Sequence, residues 1–380
     1  MSSVLQYHEV KPINDNVNDG FTEFGVIDLI LSAEGRKYKA NSFLLDFDLE
    51  CNSVVTTAVV NGDDIKNDRR LGAHCFIESI SEEIESKGLI SQISEYSRVC
   101  KLIETSTKNE NDIMTVGENS EGKELSEESA RYHLQRQSAR AEGVDGNYIP
   151  VSDLSNFCIK PKCAINSMSS TDYSFDKNGY IKVSINLARI RNALYGKSMT
   201  GNVNYSLKNV KGRFVSVPDD GKQQTMIMNT FITVKNTISS QQASVKSRVP
   251  SKAVNGVAIS FLKQSDELSL TENSNQLQSY PKFDSVNYLF SDTQSNGITY
   301  KIDTLEDALR RGVDSLRVNL SPSVSFDNVV RNNGTILGLD FEESIDLTNN
   351  PFTMNIKSKD NGISATPLNV YLTFLCLVSL

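Results

Sequence analysis

The chain has 380 residues, 38% of them apolar, with six cysteines, no Trp and a net charge of −8. That length accommodates one large all-β domain or two ordinary ones, and the apolar share suffices for a core while lying low for a globular enzyme. The acidic balance weighs against a surface that lines nucleic acid, because phosphate contacts need clustered Lys and Arg.

Residues 1–22 are polar (MSSVLQYHEVKPINDNVNDG over the first twenty) and read as an unstructured or surface-lying arm. They carry no apolar export-signal core, and no apolar run elsewhere nears the ~20 residues of a membrane-spanning helix. A soluble product of the cell interior is therefore expected, where thiols stay free. In that setting the glycosylation sequons at Asn204, Asn319 and Asn333 carry little weight.

Residues 26–51, VIDLILSAEGRKYKANSFLLDFDLEC, predict two strands. Ile27, Leu29 and Leu31 share one face with Asp28 on the other; Phe43, Leu45, Phe47, Leu49 and Cys51 alternate with Asp46, Asp48 and Glu50. Side chains alternate across a strand, so each strand has one buried and one wet face. After a polar loop at 61–70, the next segment mixes helical spacing (Ile77, Ile80, Ile84) with alternation, and is read as a hairpin turning at Lys87 and Gly88. Residues 94–103 predict a short helix. From 109 to 170 the chain is polar, with one helix that Ser126 caps, Glu127 and Glu128 open, and Arg131, Arg136 and Arg140 follow. A stretch this long between strands reads as an insertion serving contacts or function.

Alternation resumes with Ile181, Val183, Ile185 and Leu187, then a helical turn (ARIRNALYG), then Val203, Tyr205 and Leu207. Residues 231–238, 254–262, 283–290 and 352–356 also read as extended, 305–311 as a short helix, and 368–380 as a closing strand. In that last strand Leu368, Val370, Leu372, Phe374, Cys376, Val378 and Leu380 form one face. Leu375 and Leu377 interrupt the polar face opposite, which predicts partial cover by another element. Many short strands without βαβ alternation indicate an all-β sandwich or barrel. No sequence repeat is visible.

The spelling of residues 26–51 resembles the opening of the jelly-roll capsid proteins of tailless icosahedral double-stranded DNA viruses: Ile-Asp before apolar residues, a Gly, a Tyr, then a long alternating strand. Residues 254–290, with Phe283, Val286, Asn287 and Tyr288 in an F-x-x-V-N-Y spelling, are similar to a late strand pair of those proteins, and residues 334–380 to their final hairpin. Major capsid proteins of that lineage carry two jelly rolls and form pseudo-hexagonal trimers. Only one set of about eight strands can be assembled from this sequence, so it most resembles the pentameric vertex (penton) protein, especially that of virophages.

The resemblance implies an all-β fold, a single eight-stranded jelly roll (β-sandwich) with an inserted peripheral region. Residues 1–22 would be the arm, 23–104 and 179–380 the two parts of the roll, and 105–178 the insertion. It implies a structural protein of the virion, made in the host cytoplasm, that forms a homopentamer at fivefold vertices beside major capsid protein capsomers. Direct nucleic-acid and membrane contact are not expected. A trimeric major capsid subunit, and a carbohydrate-binding or hydrolytic β-sandwich, are the alternatives; the latter lean on aromatic platforms, commonly Trp.

No residue is assigned a catalytic, cofactor-binding or metal role. Gly196-Lys197-Ser198 lacks the second glycine of a phosphate loop, since position 191 is Arg, and no GxSxG occurs. His8, His74 and His133 stand apart and read as surface or cap histidines. The acid pairs Asp63-Asp64, Asp219-Asp220 and Glu342-Glu343 read as solvated loops, with Ca²⁺ binding between subunits the alternative. The cysteines at 51, 75, 100, 158, 163 and 376 form no CxxC and read as free thiols; Cys51, Cys75 and Cys376 lie among apolar residues, while for Cys158 and Cys163 a disulfide, or a metal bound with help from elsewhere, is the alternative.

Overall fold

The alternating segments become strands of two sandwiches in tandem. The computed structural model describes residues 4–14, 20–53, 67–108, 120–123, 140–142, 148–150, 155–196, 203–222, 225–277, 283–289, 300–302, 336–358 and 367–380. The first sandwich is built from β1 (Gln6–Val10), β2 (Val26–Leu31), β3 (Leu44–Ser53), β4 (Ile77–Ile84), β5 (Gly88–Ile93), β6 (Ser155–Ile159), β7 (Ile181–Leu187) and β8 (Val203–Pro218). Helix α1 (Tyr96–Thr107) lies between β5 and β6. One antiparallel sheet has the order β1-β8-β3-β6, the other β2-β7-β4-β5. Short strands lengthen the first sheet: Phe21–Thr22 follows β1 along β8, Arg36–Tyr38 precedes β3 along β8, and Tyr173–Ser174 pairs with Arg36–Tyr38.

The second sandwich repeats this plan. Its strands are β9 (Ile227–Ile238), β10 (Gln242–Ser247), β11 (Val254–Lys263), β12 (Phe283–Leu289), β13 (Tyr300–Ile302), β14 (Leu337–Ile345), β15 (Phe352–Ser358) and β16 (Leu368–Ser379). Its sheets have the orders β9-β16-β11-β14 and β10-β15-β12-β13. In both halves the first, eighth, third and sixth strands make one sheet and the second, seventh, fourth and fifth the other, the connectivity of a jelly roll. Antiparallel order places the links from first to second, third to fourth, fifth to sixth and seventh to eighth strand at one end of each roll. The remaining links are at the opposite end.

The all-β jelly-roll class expected from sequence is therefore present, but the described residues hold two rolls where one was expected. What repeats is alternation and connectivity, which leave no residue-by-residue repeat to see. The expected arm contributes β1 and Phe21–Thr22. The span 105–178 contributes β6 and Tyr173–Ser174 to the first sheet, and a small hairpin of Arg140–Glu142 with Tyr148–Pro150. Arg140, expected on a helix, thus opens a strand; Arg131, Arg136 and the helix at 305–311 lie outside the described residues.

Each roll has its own core. Ile27, Leu29 and Leu31 meet Phe47, Leu49, Val183 and Ile185 in the first, and Val257, Ile259, Leu339, Met354, Leu372 and Phe374 meet in the second. Each such side chain contributes roughly 1.5–3 kcal/mol on burial. The turn at Lys87 and Gly88 is as expected, with Gly88 at φ 76°.

Helix α1 joins the rolls. Its Tyr96, Val99, Cys100 and Ile103 enter the first core, while Leu102 packs with Ala258, Leu277 and Ile336 of the second half. The Arg98 guanidinium lies 3.8 Å from the ring centroid of Tyr371 and donates to the Ser274 carbonyl at 2.6 Å. Phe231 of β9 and Leu375 of β16 belong to the first core, and Ser91 of β5 meets Thr230 of β9 at 2.7 Å. The element expected to cover Leu375 is thus the first roll. Tyr371 is buried under Arg98 of α1, and Asn369 and Thr373 are buried as well, bonded to Thr237 and Glu267 and to Thr233, so β16 has no wet face over most of its length.

Candidate functional site

The residues weighed in the sequence do not converge. His8 is half-buried, stacked on Phe214 with ring centroids 4.5 Å apart and bonded to the Ser216 hydroxyl at 2.7 Å. Of the acid pairs, Asp219 accepts from the Ser174 hydroxyl and from Gly221 N–H (2.8 Å), and Asp220 pairs with Lys37 at 2.6 Å. Glu343 is exposed. Asp63, Asp64, His133, Lys197 and Ser198 lie outside the described residues. Cys75, Cys100, Cys158, Cys163 and Cys376 are free thiols, so Cys158 and Cys163 do not pair. Among the described residues, no group of three or more His, Cys, Asp or Glu is placed to hold a metal ion, and no helix is long and apolar enough to cross a membrane.

His74 corrects its expectation. It is wholly buried, on a 3-10 turn (Gly72–Phe76) that α1 covers. Its Nε2 lies 3.2 Å from Glu121 Oε2 and its Nδ1 2.9 Å from the Tyr96 hydroxyl. A carboxylate only accepts, so Nε2 carries the proton, Nδ1 accepts from Tyr96, and the Tyr96 oxygen accepts Lys162 N–H at 3.0 Å. Lys123, fully buried, bridges Glu121 (2.6 Å) and Glu104 (3.1 Å); Glu104 also meets Lys108 (3.1 Å) and Lys162 (3.3 Å). This network was missed in the sequence because a charged helix residue reads as solvent-facing. The only hint was the excess of polar residues on α1 around the Tyr96, Val99, Cys100 and Ile103 stripe.

Burial alone would raise the carboxyls of Glu104 and Glu121. For Glu104, Lys123, Lys162 and Lys108 outweigh it and hold the group at about 2; for Glu121, His74 and Lys123 hold it well below the usual range. Burial also pushes the His74 imidazole below its ordinary value, so it is neutral at pH 7. The signs follow from linkage. An unfolded chain takes a proton on His74 near pH 6.5 that the folded chain resists, so stability falls below about pH 6.5. The Glu104 contribution is intact above about pH 4.5 and is lost as pH falls toward 2. The urea midpoint is expected to be flat from pH 8 to 7 and to fall between pH 6.5 and 5, with a smaller fall in His74→Gln. A midpoint flat down to pH 5 would contradict this.

The outer faces of the two first sheets differ. In the first roll that face is laced with ion pairs and polar contacts: Arg213 with Asp46, Lys208 with Glu50, Lys211 with Glu9 at 2.8 Å, and Asn209 donating to Asp48 at 2.7 Å. In the second roll the same topological face carries Phe231, Ala258, Tyr371 and Leu375 against α1 and the first roll. The β1–β2 edge of the first roll exposes Val4, Leu5, Tyr7, Ile13, Phe24 and Val26, with Tyr7 at 78% and Phe24 at 64%. Among the described residues, no part of this arrangement assembles a reaction centre.

No protein-family model matches the chain, and no curated protein matches it. Solved structures do. The Faustovirus major capsid protein aligns over 100% of this chain and 90% of its own, at TM-score 0.62 and 8% identity. PBCV-1 VP54, as fitted into a cryo-EM reconstruction of the virophage Sputnik, aligns over 100% of this chain and 95% of its own, at TM-score 0.56 and 10% identity. A chain of the Sputnik virophage cryo-EM structure aligns over 99% and 85%, at TM-score 0.55 and 11% identity. At such identities the likeness is one of fold: the described residues have the jelly-roll architecture of those capsid structures.

Proposed function

We propose that this chain is a structural subunit of an icosahedral virus capsid, of the major-capsid kind, and that three copies close a ring of six rolls. The observation that supports it most is a contact already made inside the chain. The second roll lays the outer face of its first sheet on α1 and β5 of the first roll. Two units of the same connectivity thus meet through different surfaces, a heterologous contact, and such contacts generate rings when the rotation closes. Repeated between copies, it would put the first sheet and the apolar β1–β2 edge of one copy against the last roll of the next. The full-length likeness to a protein described as a major capsid protein supports the same reading.

A pentameric vertex capsomer was favoured on the count of one roll, and two rolls remove that ground. No enzymatic activity is assigned, and the virion is the proposed location. Native mass spectrometry or light scattering of the purified chain is the test. A mass three times that of the chain is expected; five times would favour the vertex role, and a monomer at all concentrations would sink both.

A further inference from the structure

A polar cavity of about 390 Å³ lies in the seam between the rolls. The first roll lines it with Glu78 near the start of β4, Glu95 just before α1, and the turn after β7 that carries Arg191. The second roll closes it with Lys235 and Thr237 of β9, the turn after β11 and Asn369 of β16. The polar groups of the second roll satisfy one another. Lys235 pairs with Glu267 at 2.5 Å, Asn369 Nδ2 donates to Glu267, and the Thr237 hydroxyl donates to the Asn369 amide oxygen at 2.8 Å. Arg189, also at the rim, is exposed and lies 5.4 Å from the ring centroid of Phe24.

The first roll's wall is different. Glu95 is half-buried on left-handed backbone (φ 51°), and its side chain does not cap α1. Among the described residues, nothing hydrogen-bonds to its carboxylate or pairs with it. Glu78 Oε2 accepts from Asn192 Nδ2 at 3.0 Å, which leaves its other oxygen open. The half-buried Arg191 guanidinium likewise has no hydrogen-bond or ion-pair partner among the described residues. One cavity thus holds open carboxylate oxygens and an open guanidinium that do not bond to each other.

Burial raises the pKa of Glu95, and the charges of Glu78 and Glu267 add to this against those of Arg98 and Lys235. Such a group is relieved by a proton or by a cation. The carboxylates described here are not grouped to hold a metal ion, so the fitting cation is organic. An ammonium has three N–H donors to share between Glu95 and Glu78, and a guanidinium matches a carboxylate. The volume is that of a small-molecule site, and its polar lining suits a hydrophilic ligand.

We propose that this cavity binds a small zwitterion of the amino-acid type, its ammonium held by Glu95 and Glu78 and its carboxylate by Arg191. All three residues belong to the first roll, and the second roll forms the opposite wall, so the bound molecule rests against both.

The test titrates the full-length chain with glycine, γ-aminobutyrate and ε-aminocaproate by calorimetry and thermal melting. Butylamine and butyrate serve as cation-only and anion-only probes. Saturable one-to-one binding of at least one zwitterion is expected, with a rise in melting temperature and an affinity at least tenfold above that of either probe. Glu95→Gln keeps the size of the side chain and removes its charge; it should weaken the zwitterion at least tenfold without lowering the unliganded melting temperature. Arg191→Gln, where the side chain has no partner to lose, should bring the zwitterion down to the affinity of butylamine. No saturable binding of any of the three zwitterions, or unchanged affinity in either variant, overturns the proposal. Butylamine binding as tightly as the best zwitterion overturns the part assigned to Arg191.

Discussion

Deleting residues 370–380 is expected to leave an insoluble or unfolded chain that forms no assembly. The removed strand β16 is the second lane of its sheet and pairs with β9 on one side and β11 on the other. Val370, Leu372 and Phe374 fill the second core, while Leu375 and Tyr371 close the seam against the first roll. At roughly 1.5–3 kcal/mol for each large apolar side chain, the strand contributes on the order of 10 kcal/mol, an upper estimate because the unfolded chain already hides some surface. Whole domains are stable by only about 5–15 kcal/mol. The loss also leaves two strands without a shared partner, an invitation to aggregate. Solubility, gel filtration and thermal melting decide the matter. A truncated chain that stays soluble and melts like the full-length protein would mean that β16 is a dispensable docking segment.

Gly72→Ala is expected to destabilise the fold by about 3 kcal/mol or more. Gly72 has φ 54°, where an L side chain costs roughly 1–2 kcal/mol. The larger effect is steric: a Cβ there would lie 2.2 Å from the Glu121 carbonyl oxygen and 2.6 Å from the Gly122 carbonyl carbon, both backbone atoms that cannot swing aside. Moving them breaks the bond from Ala73 N–H to Glu121 O (2.7 Å) and draws the Glu121 carboxylate from His74 and Lys123. Leaving Lys123 with one buried partner fewer is the costly step, since breaking a buried ion pair typically costs about 3–5 kcal/mol. Gly35→Ala is the control: φ is 68°, but nothing lies within 4 Å of the added carbon, so only the conformational cost applies. Urea unfolding should separate the two variants; equal losses would show that the contact with Glu121 and Gly122 relaxes freely.

Strands with one wet face were legible in the sequence. Ile27, Leu29 and Leu31 in β2, and Ile181, Val183, Ile185 and Leu187 in β7, alternate as written and are buried as expected. The turn at Gly88 and helix α1 were legible for the same local reasons. The second roll was not, because counting strands fails when some are as short as Tyr300–Ile302 and others, such as β1, lie in polar sequence. Jelly-roll order depends on pairings between distant strands, such as β8 with β3 and β16 with β11, and no local pattern encodes those. The buried charges were illegible for a related reason. Glu104 and Arg98 look like the wet face of a helix until residues distant in sequence meet them, Lys123 and Lys162 for Glu104 and Tyr371 of β16 for Arg98. Leu375 and Leu377 were the residues whose place on the wrong face announced such a cover, and Leu375 is the one fully buried.

The links and the strands of each roll differ in how much change they can absorb. In the first roll the links 54–76 and 94–154 leave from one end, and in the second the links 264–282 and 303–336 do the same. The opposite ends carry the turns 85–87 and 346–351, and in the first roll also the longer link 160–180. Lengthening a surface link is cheap, about 0.6 kcal/mol for each doubling, whereas a one-residue slip of register turns a strand inside out. Insertions and deletions are therefore tolerated in the long links while the strands hold the registers fixed. Strand edges and sheet faces, which would touch neighbours in a shell, lie between the two ends and need not change. A lineage built on this plan can alter what its long links present without redesigning how the strands fit together.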